Sequence, residues 1–348
     1  MNRFCKKSIF VFLVLSCLSL SIYSQQIKLL ITSLIWAGIV ALIHFMMAKT
    51  ARISFYRTIF FAILTIAFLL EMHVFFEKET TFLPYCHIGM AGNMLHIIYN
   101  EFLAFSNFTF FKYGALSIGI LWLFVILING GGFCSYVCFF GGIDSTLSKL
   151  LKKPLIKIKP SEKIREFQLA VLIFFVLISF LYSQPIFCLW FCPLKLSESI
   201  INPNSRSFIF QSALFISVGL VFLIILPIVT KKRFFCSMIC PFGALPPLIH
   251  KFIPYKVTIN KTSCISCGKC MNVCPSFAIN KKKNNKIQIT RYCTLCMTCA
   301  GKCPTKSIRP TLYNRKETEL IPFVSMILAG AISLFYLPQA VLHLLKVF

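Results

Sequence analysis

Apolar runs long enough for membrane helices alternate with short basic segments along most of the chain. The runs are Ser8–Tyr23, Leu29–Ala48, Thr58–Phe76, Tyr113–Asn129, Phe167–Ser183, Phe208–Thr230 and Leu320–Leu342. They predict about seven transmembrane helices and an all-α polytopic membrane protein. Between the sixth and seventh runs the pattern changes. Turn residues, closely spaced cysteines and short alternating stretches such as Ile287-Gln288-Ile289 replace the apolar runs. The expected organisation is a transmembrane domain over 1–249, an α+β domain over 250–316 and a C-terminal membrane helix in 317–348. Residues 84–101 mix polar and apolar positions and read as an interfacial or re-entrant helix. The first run follows Arg3, Lys6 and Lys7. It reads as an uncleaved helix, in preference to a signal ending near Ser24-Gln25 or a lipoprotein signal at Cys17.

Composition sharpens this picture. The chain is 57% hydrophobic with mean hydropathy +0.80, which excludes an ordinary soluble protein and makes the lipid bilayer its first partner. Its net charge of +26 is not a nucleic-acid footprint, because the bases flank apolar runs and no nucleic-acid motif accompanies them. With the N-terminus inside, sixteen Lys and Arg fall on the inner side before residue 250, fourteen in 251–316 and six outside. That bias places residues 250–316 in the cytoplasm.

The chemistry of 250–316 is carried by cysteines. Cys264-x-x-Cys267-x-x-Cys270-x-x-x-Cys274-Pro275 is followed by Cys293-x-x-Cys296-x-x-Cys299-x-x-x-Cys303-Pro304. This is the ligand run of a two-cluster bacterial ferredoxin, in which the fourth cysteine of each run serves the other cluster. Cys264, Cys267, Cys270 and Cys303 are therefore expected to hold one [4Fe–4S] cluster, and Cys293, Cys296, Cys299 and Cys274 the other. Zinc sites group cysteines as separated pairs, and disulfide scaffolds suit small secreted domains. Residues 251–316 contain no Asp or Glu, so the clusters would sit in a basic surround that attracts an acidic redox partner.

Three further pairs share one spacing: Cys134/Cys138, Cys188/Cys192 and Cys236/Cys240. On a helix this spacing puts both sulfurs on one face. Cys134, Cys138, Cys236 and Cys240 are expected together at the inner membrane surface as a third metal centre, and Cys188/Cys192 at the outer surface. The competing readings are buried free thiols and a dithiol–disulfide pair. Glu71, His73, His87, His96 and Glu101 gather toward the outer face. They are the candidate proton acceptors of a quinol site, with menaquinone or another quinone as substrate.

With Cys236-x-x-x-Cys240-Pro241-Phe242-Gly243 ahead of two ferredoxin runs and behind several spans, the chain resembles the membrane-bound polyferredoxins over roughly residues 110–310. That family includes the ferredoxin-type quinol dehydrogenase subunit of periplasmic nitrate reductase systems and the electron-supply protein of nitrous oxide reductase. Cys138 departs from its pattern, being followed by Phe139 where the family has proline. The resemblance implies a multi-pass protein of the bacterial inner membrane that passes electrons between the quinol pool and a redox partner, as the electron-transfer component of an oxidoreductase. A maturation factor that supplies electrons to another metalloprotein, or an iron–sulfur redox sensor, would carry the same cysteines.

Overall fold

The structure is a computed structural model that describes residues 3–50, 52–78, 86–106, 115–158, 162–192, 206–281, 286–312, 315–316 and 320–345. Among the described residues ten α-helices precede residue 191: α1 (Arg3–Tyr23), α2 (Ile27–Thr50), α3 (Ile53–Lys78), α4 (His87–Gly92), α5 (Met94–Ser106), α6 (Ala115–Asn129), α7 (Phe133–Tyr136), α8 (Phe139–Leu147), α9 (Glu162–Tyr182) and α10 (Ile186–Trp190). Among the described residues six helical stretches are long and apolar enough to cross a membrane. They are Cys5–Tyr23, Ile27–Thr50, Ile53–Leu70, Ile118–Tyr136, Arg165–Tyr182 and Ser212–Thr230. Their outward faces are apolar, as at Ile35, Ile66, Phe124 and Leu177, so the bilayer covers what would otherwise be exposed core.

The expected seventh span is divided. Helix Leu320–Ser333 ends in a turn, and Leu337–Leu344 starts a new helix. Pro338 cannot donate to a continuing helix, and the Leu334 carbonyl is taken instead by the Tyr23 hydroxyl at 2.7 Å. Trp36 Nε1 donates to Ser333 Oγ at 2.8 Å, which fixes this helix against α2.

Residues 255–316 form two antiparallel units, the α+β ferredoxin layout expected from the repeat. Strand β1 (Tyr255–Ile259) pairs with β4 (Ile308–Leu312), which continues to β5 (Arg315–Lys316); β2 (Ile279–Lys281) pairs with β3 (Ile287–Ile289). Ile279 and Ile308 each open a strand five residues after the fourth cysteine of their run. Lys281 to Lys286 has the polar composition of a turn between these strands, and its residues 282–285 lie outside the described residues.

This unit sits on the ends of the membrane helices. The Arg233 amide donates to the Pro275 carbonyl at 2.8 Å, and Lys232 Nζ donates to the carbonyls of Asn272 and Cys274 at 2.9 and 2.7 Å. Gly131 lies against the Cys293–Thr294 backbone, where an added Cβ would stand 2.6 Å from the Cys293 oxygen. Only glycine allows so close an approach.

Candidate iron–sulfur and membrane cysteine sites

The two ferredoxin runs wrap two small cavities. Cys264, Cys267, Cys270 and Cys303 line one, with Ile259, Ile287 and Ile308 around them. Cys274, Cys293, Cys296 and Cys299 line the other, with Val257, Ile279 and Ile289. Each cavity thus brings together the three-plus-one set expected from the crossed ligation. Among the described residues no three Cys, His, Asp or Glu side chains converge on a single ion. The sulfurs ring a space instead.

The backbone is bent to make that ring. Ser266 and Leu295, Gly268 and Met297, and Phe277 and Lys306 all have positive φ. Each pair is separated by the same interval of 29 residues as Cys264 and Cys293. A left-handed residue next to right-handed ones can turn successive amides to one side, as in an anion-binding nest. Five of the six are not glycine, at a cost of roughly 1–2 kcal/mol each. The sum, roughly 5–10 kcal/mol, rivals the whole stability of a small domain. Such strain persists where something bound repays it, and four thiolates around an anionic cluster fit that requirement. Side-chain hydroxyls repeat as well. Cys303 Sγ lies 3.2 Å from Ser307 Oγ, and Cys274 Sγ lies 3.8 Å from Ser276 Oγ. Burial alone would raise the Cys303 thiol, but the Ser307 and Thr305 hydroxyls outweigh it and bring it down to about 7.

Cys134/Cys138 and Cys236/Cys240 lie deeper than the inner surface where they were expected. From Gly131 the chain enters as α7, turns at Cys138 and returns as α8. Phe139 stacks on Phe68 at 4.1 Å, while Lys149, past the end of α8, bonds the Ser54 carbonyl at 3.1 Å. Those α3 positions are roughly 20 Å apart along the helix, so Cys138 lies well inside the span Ile53–Leu70. The segment Arg233–His250 makes a second such excursion, with Phe242 4.7 Å from the His87 ring. Backbone inside a membrane must be satisfied internally. Gln168 Nε2 donates to the carbonyls of Cys236 and Cys240 at 2.9 and 2.8 Å, and the Cys236 amide donates to Asp144 at 3.0 Å.

The two excursions share one local design. Phe133-Cys134-Ser135-x-x-Cys138-x-Phe140-Gly141 matches Phe235-Cys236-Ser237-x-x-Cys240-x-Phe242-Gly243. In each, the second cysteine's amide bonds the phenylalanine carbonyl five residues back, at 3.0 and 2.9 Å. A Cβ on Gly141 or Gly243 would strike the carbonyl of Cys134 or Cys236. Cys134, Cys138, Cys236 and Cys240 are all buried, and their carbonyls or neighbours are held by Arg233 and Gln168. Cys188 and Cys192 are likewise buried, on a segment that folds back from the opposite side so that Phe187 packs on Phe175.

Three arginines that the sequence reading missed lie between these sulfurs and the ferredoxin unit. Arg57, Arg165 and Arg233 are 1%, 2% and 1% exposed, and Asp144 is the buried acid beside them. Arg233 reaches Ser135 Oγ at 3.0 Å and also the Cys134 carbonyl. Arg57 donates to the Ser135 carbonyl at 2.7 Å. Arg165 stands 5.1 Å over Tyr292, and its Nε and Nη1 have no hydrogen-bond partner among the described residues. Buried charge without compensation is costly, so this pocket calls for further anions beyond Asp144.

The predicted proton-acceptor group does not stay together. His87 Nε2 lies 3.2 Å from Cys138 Sγ, ringed by Trp122, Phe133 and Phe242. His96 bonds Asn100 at 2.9 Å on α5, and Glu101 is buried further along that helix. The side chains of Glu71 and His73 lie outside the described residues.

A family model described as 4Fe-4S binding domain matches residues 111–157, 167–196 and 212–260, which include all three membrane pairs. A second, described as 4Fe-4S dicluster domain, matches 263–308. An uncharacterized ferredoxin of Methanocaldococcus jannaschii is 37% identical over 68 residues, covering 18% of this chain and 88% of that protein. The chain belongs to the polyferredoxin-like 4Fe-4S proteins. It is also similar to YccM of Escherichia coli, named as an electron transport protein, at 38% identity over 26% of each chain. The methylamine utilization ferredoxin-type protein MauN of Paracoccus denitrificans is 29% identical over 47% of this chain and 53% of its own length. The match thus spans about a quarter of YccM and about half of MauN. No solved structure matches the chain. As a polyferredoxin-like protein, this chain carries iron–sulfur electron-transfer chemistry, and its apolar helices are those of a membrane protein.

Proposed function

We propose that this polyferredoxin passes single electrons between the quinol pool and a redox partner protein, through two [4Fe–4S] clusters and a third metal centre. Cys264, Cys267, Cys270 and Cys303 hold one cluster, and Cys293, Cys296, Cys299 and Cys274 the other. Cys134, Cys138, Cys236 and Cys240 hold the third centre. The observation that carries this reading is the row of cysteine sites. Tyr292, next to Cys293 of the second cavity, lies 5.1 Å under Arg165, and one turn along the same helix Gln168 holds the carbonyls of Cys236 and Cys240. When bound, iron–sulfur clusters accept and release one electron at a time. The chain's own residues set the conditions. Buried arginines favour the more negative state at the membrane cysteines, and His87 caps Cys138 on the side away from the ferredoxin unit.

Quinol oxidation releases protons at a membrane edge. Among the described residues His96 Nδ1 and Glu101 Oε1 are buried without partners on α5, near the end of α9 where Tyr99 meets Phe180 at 5.6 Å. They are the acceptors we assign. The distribution of bases favours a cytoplasmic ferredoxin unit and a bacterial inner-membrane location. Anaerobic iron counting with electron spin resonance tests the clusters: more than eight irons per chain is expected, and four or fewer overturns the reading. Menaquinol added to the purified protein should reduce the clusters, more slowly in Glu101→Gln. Clusters that menaquinol never reduces would remove the quinol assignment.

A further inference from the structure

A cleft of about 1480 Å³ lies between the ferredoxin unit and the ends of the membrane helices, and none of the sites above uses it. Ten lysines and arginines line it and, among the described residues, no acid does. Four of the ten turn inward to protein oxygens: Arg57, Lys149, Lys231 and Lys232. The other six are Arg52, Lys152, Lys153, Lys157, Lys302 and Lys306, all exposed. Burial, with Arg57, Arg233 and Lys231 nearby, pushes the Lys149 ammonium down to about 7, so this wall is short of negative charge. The Ser54 and Thr298 hydroxyls, 3.3 Å apart on the same wall, leave one neutral donor between them.

Depth narrows the occupant. The cleft opens where the spans beginning at Ile53 and ending at Thr230 meet the surface, which is headgroup level. Phe55 and Ile59 line it and are 59% and 41% exposed, so its floor continues onto the lipid face. It is concave and larger than an ordinary small-molecule pocket, which suits a bulky anion rather than a flat protein face. Several lysines on a flexible rim serve phosphate groups as point charges. Cys303, Met297 and Thr298 also line it, so an occupant sits against the ligand loops of both cavities.

We propose that this cleft binds a phosphate-bearing anion with at least two negative charges. The same chemistry is offered by the headgroup of a diphosphate phospholipid and by a soluble diphosphate, and the test separates them. The full chain, purified without oxygen in neutral detergent, is titrated with inorganic pyrophosphate and separately with diphosphatidylglycerol in neutral micelles. One site per chain is expected. Each base beside an anionic group is worth roughly fivefold in affinity, so Lys152→Gln/Lys153→Gln/Lys157→Gln should weaken binding about a hundredfold. Arg52→Gln from the opposite wall should weaken it about fivefold. Lys251→Gln/Lys261→Gln/Lys281→Gln, away from the cleft, should leave it unchanged.

Binding of diphosphatidylglycerol that pyrophosphate cannot displace assigns the site to a lipid headgroup; mutual displacement assigns it to the diphosphate itself. Uptake of neither probe, or equal uptake by the Lys152/Lys153/Lys157 variant, overturns the proposal. So does binding of a polyglutamate peptide without either phosphate probe, which would make the cleft a docking face for an acidic protein. Iron content of the same samples reads the clusters separately, so failure here leaves that question untouched.

Discussion

The ferredoxin unit and the membrane cysteine site both gather sulfurs by duplicating a short motif, but they store free energy in different forms. In the ferredoxin unit the copies lie 29 residues apart, and the stored term is backbone strain at five left-handed non-glycine residues. In the membrane the copies lie 102 residues apart, from Cys134 to Cys236, and the stored term is charge: three buried arginines beside one buried aspartate. A loop outside the bilayer can bend, with protein and water at hand for its backbone, but gains little from isolated charge. A segment inside a bilayer must keep its backbone bonded, and there every charge counts. An anionic metal–thiolate centre relieves either kind.

The largest expected effect separates the two sites by composition. Cys296→Ser should cost about four irons per chain and, by removing what repays the strained loops, should leave the ferredoxin unit open to proteolysis. Cys240→Ser should lower the metal content while the ferredoxin spectrum and its protease resistance persist. If both variants lose the same spectral component, the two sites are one cooperative centre and the contrast fails. Next in size is Arg233→Met. Its guanidinium joins Ser135 and the Cys134 carbonyl within 3.6 Å of Cys236 Sγ. Breaking such a buried network costs about 3–5 kcal/mol. If charge compensation is the reason for Arg233, the loss in thermal stability should be large in the metal-loaded protein and much smaller after chelation. An equal loss in both states would make Arg233 a packing residue only.

How much of this was legible in the sequence follows from the same contrast. The ferredoxin sites were readable because their ligands are contiguous and their spacing encodes the crossed partnership of Cys274 and Cys303. Six spans were readable from apolar length alone. The depth of Cys138 and Cys240 was not, because both lie just past the end of a long apolar run, where sequence does not show whether the chain leaves the bilayer or turns back into it. A signal did exist: Phe133-Cys134-Ser135 and Phe235-Cys236-Ser237, each followed by Phe-Gly, is a repeat visible without coordinates. Arg57, Arg165 and Arg233 were counted as inner-face bases, since a net-charge tally cannot distinguish a base in water from one folded over a sulfur. His87 was grouped with His96 by proximity in sequence, yet the fold turns it toward Cys138.

The contact between the two regions offers a smaller test. Gly131→Ala would drive a methyl into the Cys293 carbonyl at 2.6 Å and the Thr294 Cα at 2.8 Å. Backbone must move, at a cost of about 1–3 kcal/mol. The electron spin resonance signal of the Cys293–Cys299 side should shift, while that of the Cys264–Cys270 side stays put. Gly301→Ala, with nothing within 4 Å of its added Cβ, is the matched neutral substitution. Equal effects from the two alanines would mean that the ferredoxin unit does not rest on this turn.

The finest comparison lies inside the ferredoxin unit. Ser307 Oγ stands 3.2 Å from Cys303 Sγ, whereas Ser276 Oγ stands 3.8 Å from Cys274 Sγ. A hydroxyl donated to a ligand sulfur stabilises the reduced, more negative cluster and raises its potential. Removing one hydrogen bond worth about 1 kcal/mol should therefore lower the potential by a few tens of millivolts. Ser307→Ala should shift the cluster held by Cys303, and Ser276→Ala should shift the other by less, because the longer contact is the weaker bond. A redox titration that follows the two signals separately measures both. A larger shift from Ser276→Ala would show that the potentials are set by the basic surround, which the two clusters share, rather than by the hydroxyl each run places two or four residues after its last cysteine.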